Sequence, residues 1–317
     1  MNMKFYFFLL LLFLSSSSFS QQKFSKEFNL TTDNDLYISK AKDRYYSNGI
    51  FFTYRYLTSN IKKLDKKIIE IEIGHHIYTP YKSTILNVNL HDRPFAGYMY
   101  GNFGIARVYK NKTILKNNIQ FGVVGKSAFG KELQEAIHTI YNFRSPDGWK
   151  YQIKNTLAIN FDTEYYTVLE TNNSKHLDIN FLGKLKIGTI FNEATTGFMG
   201  RVGIRELQPI NNSTAFNTHL NNDNSSYVRG LESFIYYLTS LTYVAYDATI
   251  QGSLFNKESP VTFNPKSVRF DFEIGYKFTT ERWNFGYSYH FHSNKINGLK
   301  NNKGNDYGRL FFSYLFR

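Results

Sequence analysis

The sequence predicts an all-β fold, a single transmembrane antiparallel β-barrel of about twelve strands with one short outer-side loop helix. Three observations carry that expectation. In VRFDFEIGYKF, Val268, Phe270, Phe272, Ile274, Tyr276 and Phe278 alternate with Arg269, Asp271, Glu273, Gly275 and Lys277, so one face is apolar and aromatic and the other charged. The same two-residue period returns in Trp283, Phe285, Tyr287, Tyr289 and Phe291 against Asn284, Gly286, Ser288, His290 and His292. Ile69/Ile71/Ile73 against Glu70/Glu72, and Leu177/Ile179/Phe181 against Asp178/Asn180, repeat it. A soluble sandwich alternates too. Long segments, 18% aromatic residues and polar loops between the segments favour a lipid-facing band with aromatic girdles. With a mean hydropathy of -0.40, the chain is too polar for a bundle of membrane helices.

Read in order, the chain opens on MNMKFYFFLLLLFLSSSSFSQ, with Lys4, an apolar run from Phe5 to Leu14, and small residues at Ser18 and Ser20. This pattern is that of a signal peptide over residues 1–20, and its apolar run is too short to span a bilayer. Residues 21–317 then form the outer-membrane barrel domain. Strand segments fall near 26–34, 48–58, 67–77, 95–109, 113–124, 151–170, 177–189, 193–205, 232–250, 267–278, 282–292 and 308–316, an even number as single-chain bacterial barrels require. The last, GRLFFSYLFR, puts Leu310, Phe312, Tyr314 and Phe316 on one face and resembles the aromatic-ended final strand of bacterial outer-membrane barrels, apart from the added Arg317. The Asn-rich stretch from Asn211 to Ser226 reads as a long loop. A formal charge of +13 suits an anionic envelope surface, whereas export and the lack of any recognition motif argue against nucleic acid. The absence of cysteine decides little.

One segment breaks the strand rhythm. In SAFGKELQEAIHTIYNF, Phe129, Leu133, Ile137, Ile140 and Tyr141 recur at helical spacing. Gln134 and His138 lie four apart and project from one side, beside that apolar stripe. The expectation is an outer-side helix from Ser127 to Phe143 whose stripe packs on the barrel rim.

Five motifs in order resemble the outer-membrane lipid A 3'-O-deacylases: TDNDLY (Thr32 to Tyr37), DRYYSNG (Asp43 to Gly49), DRPFAGYMYG (Asp92 to Gly101), GVVGKSAFGKELQEAIH (Gly122 to His138) and GWKYQIKN (Gly148 to Asn155). They cover about the first half of the mature chain; the second half is similar in strand character. The resemblance implies a twelve-stranded barrel with its site near the outer rim, between the wall and a short helix, and hydrolysis of the 3' acyl ester of lipid A with a divalent cation, calcium being the one expected. It carries the family's Asn-Asp pair onto Asn34 and Asp35, its hydroxyl residue onto Ser47, and its helical pair onto Gln134 and His138. The basic pair expected after the third strand is represented in YTPYKSTILNVNL only by Lys82.

Elementary chemistry agrees with that assignment. Ester hydrolysis needs a base for water and positive charge or donors at the oxyanion. His138 can be the base, with Gln134 orienting the water or donating toward the oxyanion. Asp35 supplies a hard oxygen of the kind Ca2+ prefers, with Asn34 and Ser47 as neutral oxygens. No G-x-S-x-G elbow accompanies a serine, so water is favoured over a covalent nucleophile. Plainer readings stand beside these: Asp33, Asn34 and Asp35 as turn residues, and His290 and His292 as lumen-lining residues without a third ligand. Arg93 is read as either structural or phosphate-binding. The expected partners are lipid A in the outer leaflet of a Gram-negative outer membrane and the membrane itself, with the chain a monomer. A non-catalytic barrel that binds envelope lipid or forms a channel is the competing function.

Overall fold

The computed structural model describes residues 23–38, 44–58, 64–173, 175–225 and 229–317. The export segment expected at 1–20 lies outside the described residues. Twelve strands close into one antiparallel barrel: β1 (Lys26–Asn34), β2 (Tyr45–Leu57), β3 (Leu64–Thr79), β4 (Ala96–Tyr109), β5 (Thr113–Val124), β6 (Thr156–Thr171), β7 (Leu177–Gly188), β8 (Phe191–Gly203), β9 (Ser233–Asp247), β10 (Val268–Thr279), β11 (Trp283–His292) and β12 (Asn305–Phe316). β1 pairs with β12 from Lys26↔Phe316 to Asn34↔Gly308, so no strand edge is left open. The predicted segments correspond one to one. The largest offset is in β6, which starts at Thr156 because Asp147–Tyr151 forms a 3-10 turn.

Alternation sorts the residues as expected. Val268, Phe270, Ile274, Tyr276 and Phe278 are exposed on the outer surface, while Arg269, Glu273 and Lys277 line the lumen. Exposed apolar residues on the other strands, among them Phe28, Phe52, Ile73, Phe103 and Phe198, continue that outer band. Inside, a cavity of about 510 Å³ is walled by charged and aromatic side chains. His290 and His292 belong to this interior: His290 stacks on Tyr307 with ring centroids 4.7 Å apart, and His292 Nδ1 lies 3.1 Å from Asp271.

The two ends differ. At the end where β1 begins and β12 finishes, the β8–β9 connection folds back and stoppers the lumen. Phe216 packs near Tyr166 and Phe234, and Leu220 packs with Phe24 and Leu315. Buried Arg201 on β8 ties this loop down through Asp178, Ser213 Oγ (2.7 Å) and the Gln208 carbonyl (3.1 Å). Lys66 donates to Asn212 Oδ1 and to the Thr218 carbonyl. At the same end, burial holds the His219 imidazole below the usual histidine range, against the opposing pull of Glu27. The expected Asn-rich loop is therefore a plug, and its Asn212, Ser213 and Thr218 pair with the charged wall residues Lys66 and Arg201.

The opposite rim carries α1 (Gly130–Tyr141), which lies on the outside of the wall. Inward Tyr98 places its neighbour Gly97 on the outer surface, where a Cβ would come 3.0 Å from the Gly130 backbone. A Cβ on Gly130 would in turn strike the Trp149 ring at 2.6 Å. Glycine on both sides is what lets the loop touch the wall. Outward His75 Nε2 then meets the Ala128 carbonyl at 2.6 Å.

Candidate active site

Local backbone chemistry builds the pocket from both sides. On the wall, Asp33 turns inward to Arg309 (2.6 and 2.7 Å) and accepts from Tyr46 Oη (2.7 Å), which fixes the end of β1. Asn34 consequently faces out. Its Oδ1 accepts from the Leu36 N–H at 2.7 Å, the local bond by which asparagine initiates a turn, so Asp35 enters the 3-10 turn Asp35–Ile38. The turn-forming and the functional reading of this triplet thus coexist. On β2 the register slips between Tyr46 and Asn48, a β-bulge with Ser47 as the extra residue. Residues two apart would share a face; across the bulge, Tyr46 points into the barrel and Asn48 points out, where Asn34 Nδ2 donates to its Oδ1 at 2.6 Å. Ser47 is buried, its hydroxyl 3.5 Å from the Ile77 carbonyl.

The other side is the end of α1. Asn142 sits in the left-handed region (φ 56, ψ 42) and its N–H returns to the carbonyls of His138 and Thr139, while Phe143 N–H donates to His138 O at 2.8 Å. This is a Schellman-type termination, for which asparagine is a favoured residue. It doubles the chain back so that the Arg144 carbonyl reaches His138 Nδ1 at 2.5 Å. A carbonyl can only accept, so Nδ1 carries the proton and Nε2 carries the lone pair, the tautomer a general base requires.

Asn34, Asp35, Leu36, Asn48, Ser83, Thr84, Ile137, His138, Phe143 and Arg144 enclose a pocket of about 200 Å³ between wall and helix. Of the residues expected from sequence, Asn34, Asp35 and His138 meet there. Gln134 is fully buried one turn before His138, and its Oε1 accepts from the Trp149 indole at 2.6 Å. That bond ties the helix to the Asp147–Tyr151 turn and gives Gln134 a supporting position. Lys82 is exposed beside the pocket residues Ser83 and Thr84.

Two expectations are corrected. Arg93 does not face this pocket: it is buried at the rim, donates to Thr249 Oγ1 at 2.9 Å and lies 4.4 Å over the Tyr78 ring, so its role is structural. The apolar stripe of α1 does not pack on the rim as a whole either. The buried line is Gly130, Gln134 and His138, whereas Phe129, Ile140 and Tyr141 are exposed. The two polar residues point inward because the connection that follows the helix offers them partners there: the Trp149 indole and the Arg144 carbonyl.

Asn48, Ser83 and Arg144 escaped the sequence reading. Asn48 was visible only as part of DRYYSNG, and the bulge that turns it outward has no local signal. Arg144 follows the helix by three residues and shows its place only once Asn142 has reversed the chain.

The donors fit a hard cation by their chemistry. Asp35 contributes a buried carboxylate, with amide or hydroxyl oxygens from Asn34, Asn48 and Ser83 in the same pocket. Among the described residues, no group of three or more His, Cys, Asp or Glu side chains forms a softer or more acidic metal site.

A family model described as outer membrane protein LpxR matches residues 6–316. The chain belongs to the LpxR family. That membership and the closed barrel place it in the outer membrane of a Gram-negative bacterium, in contact with lipopolysaccharide. LpxR from Salmonella typhimurium has a similar structure, with a TM-score of 0.71 at 17% identity over 92% of this chain and 100% of that one. At that identity the likeness shows the shared LpxR barrel fold. Looser likenesses reach the β domain of the Bordetella autotransporter BrkA (TM-score 0.46, 9% identity, 93% of this chain and 99% of that one) and the COG4313 outer membrane channel from Pseudomonas putida F1 (0.47, 8%, 93% and 96%). No curated protein matches the chain.

Proposed function

We propose that this protein is a lipid A 3'-O-deacylase, a hydrolase that removes the 3'-linked acyloxyacyl chain of lipopolysaccharide with water activated by His138. The observation that carries this reading is the placement of Asn34, Asp35 and His138 in one pocket on the outer side of the wall, the side that meets lipid. In this mechanism His138 Nε2 takes a proton as water attacks the ester carbonyl, while the Arg144 carbonyl holds the Nδ1 proton and keeps the ring aligned. The protonated ring then returns its proton to the leaving sugar oxygen, and the acyl chain departs as a carboxylic acid. Asp35 and Asn34, with Asn48 and Ser83 beside them, would hold Ca2+; when bound it would supply Lewis acidity at the ester carbonyl. Ser47 sets the bulge from which Asn48 reaches the pocket, and Gln134 positions the helix through Trp149. Arg144 and Lys82 at the mouth offer cations to the phosphates of lipid A.

The competing reading, a channel, finds a wide polar lumen but also the Arg201-anchored plug across it. Mass spectrometry of lipid A from cells with and without the protein tests the esterase: loss of the 3' acyl chain is expected. Unchanged lipid A in cells that hold the folded, membrane-inserted protein would refute it.

A further inference from the structure

We propose that the lower flank of α1 is seated on the acyl chains of outer-leaflet lipid, making the helix an interfacial element that opens the pocket sideways to the membrane. The inference rests on the outer-membrane location of the barrel and not on the esterase reading.

Three features lead to it. The first is that α1 has two unlike flanks on either side of its buried line. Successive residues turn by about 100°, so Leu133, Ile137 and Ile140 share one flank, Leu133 half-buried against Ile77, Phe95 and Trp149 and Ile140 the most open, and Lys131, Glu135 and Thr139 share the other. Lys131 and Glu135 are both exposed and paired at 3.6 Å. Ile140 is 78% exposed, which is costly for a side chain of its size in water unless something apolar covers it.

Orientation is the second. Seen from outside with the α1 rim uppermost, an inward-facing residue of an ascending L-strand directs its carbonyl to the left. Ser25, which lies two residues before inward Glu27, accepts there from Leu57 N–H at 2.8 Å, so β2, β3 and β4 follow β1 leftward. The helix starts at Gly130 over Gly97 of β4 and ends with His138 at the β1–β2 rim, hence runs left to right in front of the wall. A right-handed helix in that position turns Lys131, Glu135 and Thr139 upward and Leu133, Ile137 and Ile140 downward.

Continuity is the third. His75, which meets the loop at Ala128, is followed down the same outward row of β3 by exposed Ile73 and Ile71 of the lipid-facing band. The lower flank of α1 therefore extends a surface that lipid already covers. A charged upper flank and an apolar lower one are the signature of a helix lying in a membrane interface. Ile137 belongs both to that flank and to the pocket wall, so the mouth of the pocket borders the acyl layer.

The chain has no cysteine, so single cysteines can be spin-labelled without further changes. Ile140→Cys probes the lower flank and Glu135→Cys the upper flank, each in heat-modifiable protein reconstituted in lipopolysaccharide-containing bilayers. Collisions with oxygen, which concentrates in acyl chains, should exceed those with a water-soluble nickel chelate at 140, and the order should reverse at 135. A label at 140 reached mainly by the nickel chelate would overturn the proposal. So would labels shielded from both reagents, which would mean that a protein surface, such as a second copy of this chain, covers the flank. Neither readout depends on ester hydrolysis, so a protein without deacylase activity could still pass or fail it.

Discussion

Asn142→Val tests how His138, the proposed base, is aligned without touching the pocket. Asn142 occupies the left-handed region, and its N–H and that of Phe143 return to the last turn of α1, which brings the Arg144 carbonyl to His138 Nδ1. A β-branched residue forced into that conformation costs about 1 to 2 kcal/mol or more. If the whole penalty falls on the turn, the aligned population drops by roughly 5- to 30-fold, since 1.4 kcal/mol is about a factor of ten. Deacylation by the variant should fall by that amount at saturating substrate. Asn142→Gly, free of the Cβ penalty, should remain near the parent. Because α1 lies outside the barrel, heat modifiability should be the same in all three proteins. Limited trypsin digestion gives a readout independent of activity: cleavage after Arg144 should accelerate in the valine variant alone. A valine variant with parental activity and parental cleavage would refute the alignment argument, as would a glycine variant as impaired as the valine one.

Further outcomes follow from the same geometry. His138→Ala and His138→Gln should each lose most deacylation, about 10²- to 10⁴-fold for a general base, with the barrel still folded; activity within a few-fold of the parent would make the helix structural. Chelation should abolish activity and Ca2+ restore it, with Zn2+ a poor substitute for want of an imidazole- or thiolate-rich ligand set, whereas full activity after exhaustive chelation would remove the metal from the mechanism. Arg144→Ala should raise KM more than it lowers kcat if the guanidinium binds headgroup phosphate; an unchanged KM would assign it no substrate contact. Planar-bilayer recordings should show negligible conductance near neutral pH, and steady channels there would revive the pore reading. His219, buried near the plug and held below its usual range, favours the closed state while neutral. That stabilisation is present above the ordinary histidine pKa of about 6.5 and is lost as pH falls below it, so any conductance should appear on acidification and be blunted in His219→Gln.

Much of the architecture was legible because a barrel strand writes its two environments into alternate residues. Val268 to Phe278 announces its lipid face and Arg269 to Lys277 its lumen face with no help from tertiary structure. Of the candidate site, the family motifs pointed to Asn34, Asp35 and His138, which the fold brings into one pocket; taken alone, those residues read as a turn and a loop-helix histidine. The bulge at Ser47 could not be read, since it arises from pairing with β3 and changes the face of Asn48, while the Asn48-Gly49 pair beside it reads locally as a turn signal. The facing of α1 was misread for a related reason. Periodicity identifies an amphipathic helix, but its apolar side was assigned to the protein as in a soluble fold, and beside a bilayer the apolar flank has a second solvent available. Arg93 had no distinguishing sequence feature, because a guanidinium suits Thr249 and the Tyr78 ring as well as a phosphate.

Asp33 and Arg309, the pair that steadies the strand end beneath Asn34, are separated by 276 positions in the chain. β1 acquires its second neighbour, β12, only when the last-made strand meets the first. Until that seam closes, the wall beside Asn34 has β2 as its only strand neighbour, and the Asp33–Arg309 pair that steadies the strand end is absent. An exported chain on its way to the outer membrane would therefore be inert toward any lipid it meets, and its chemistry would begin with closure. Insertion itself would act as a maturation step.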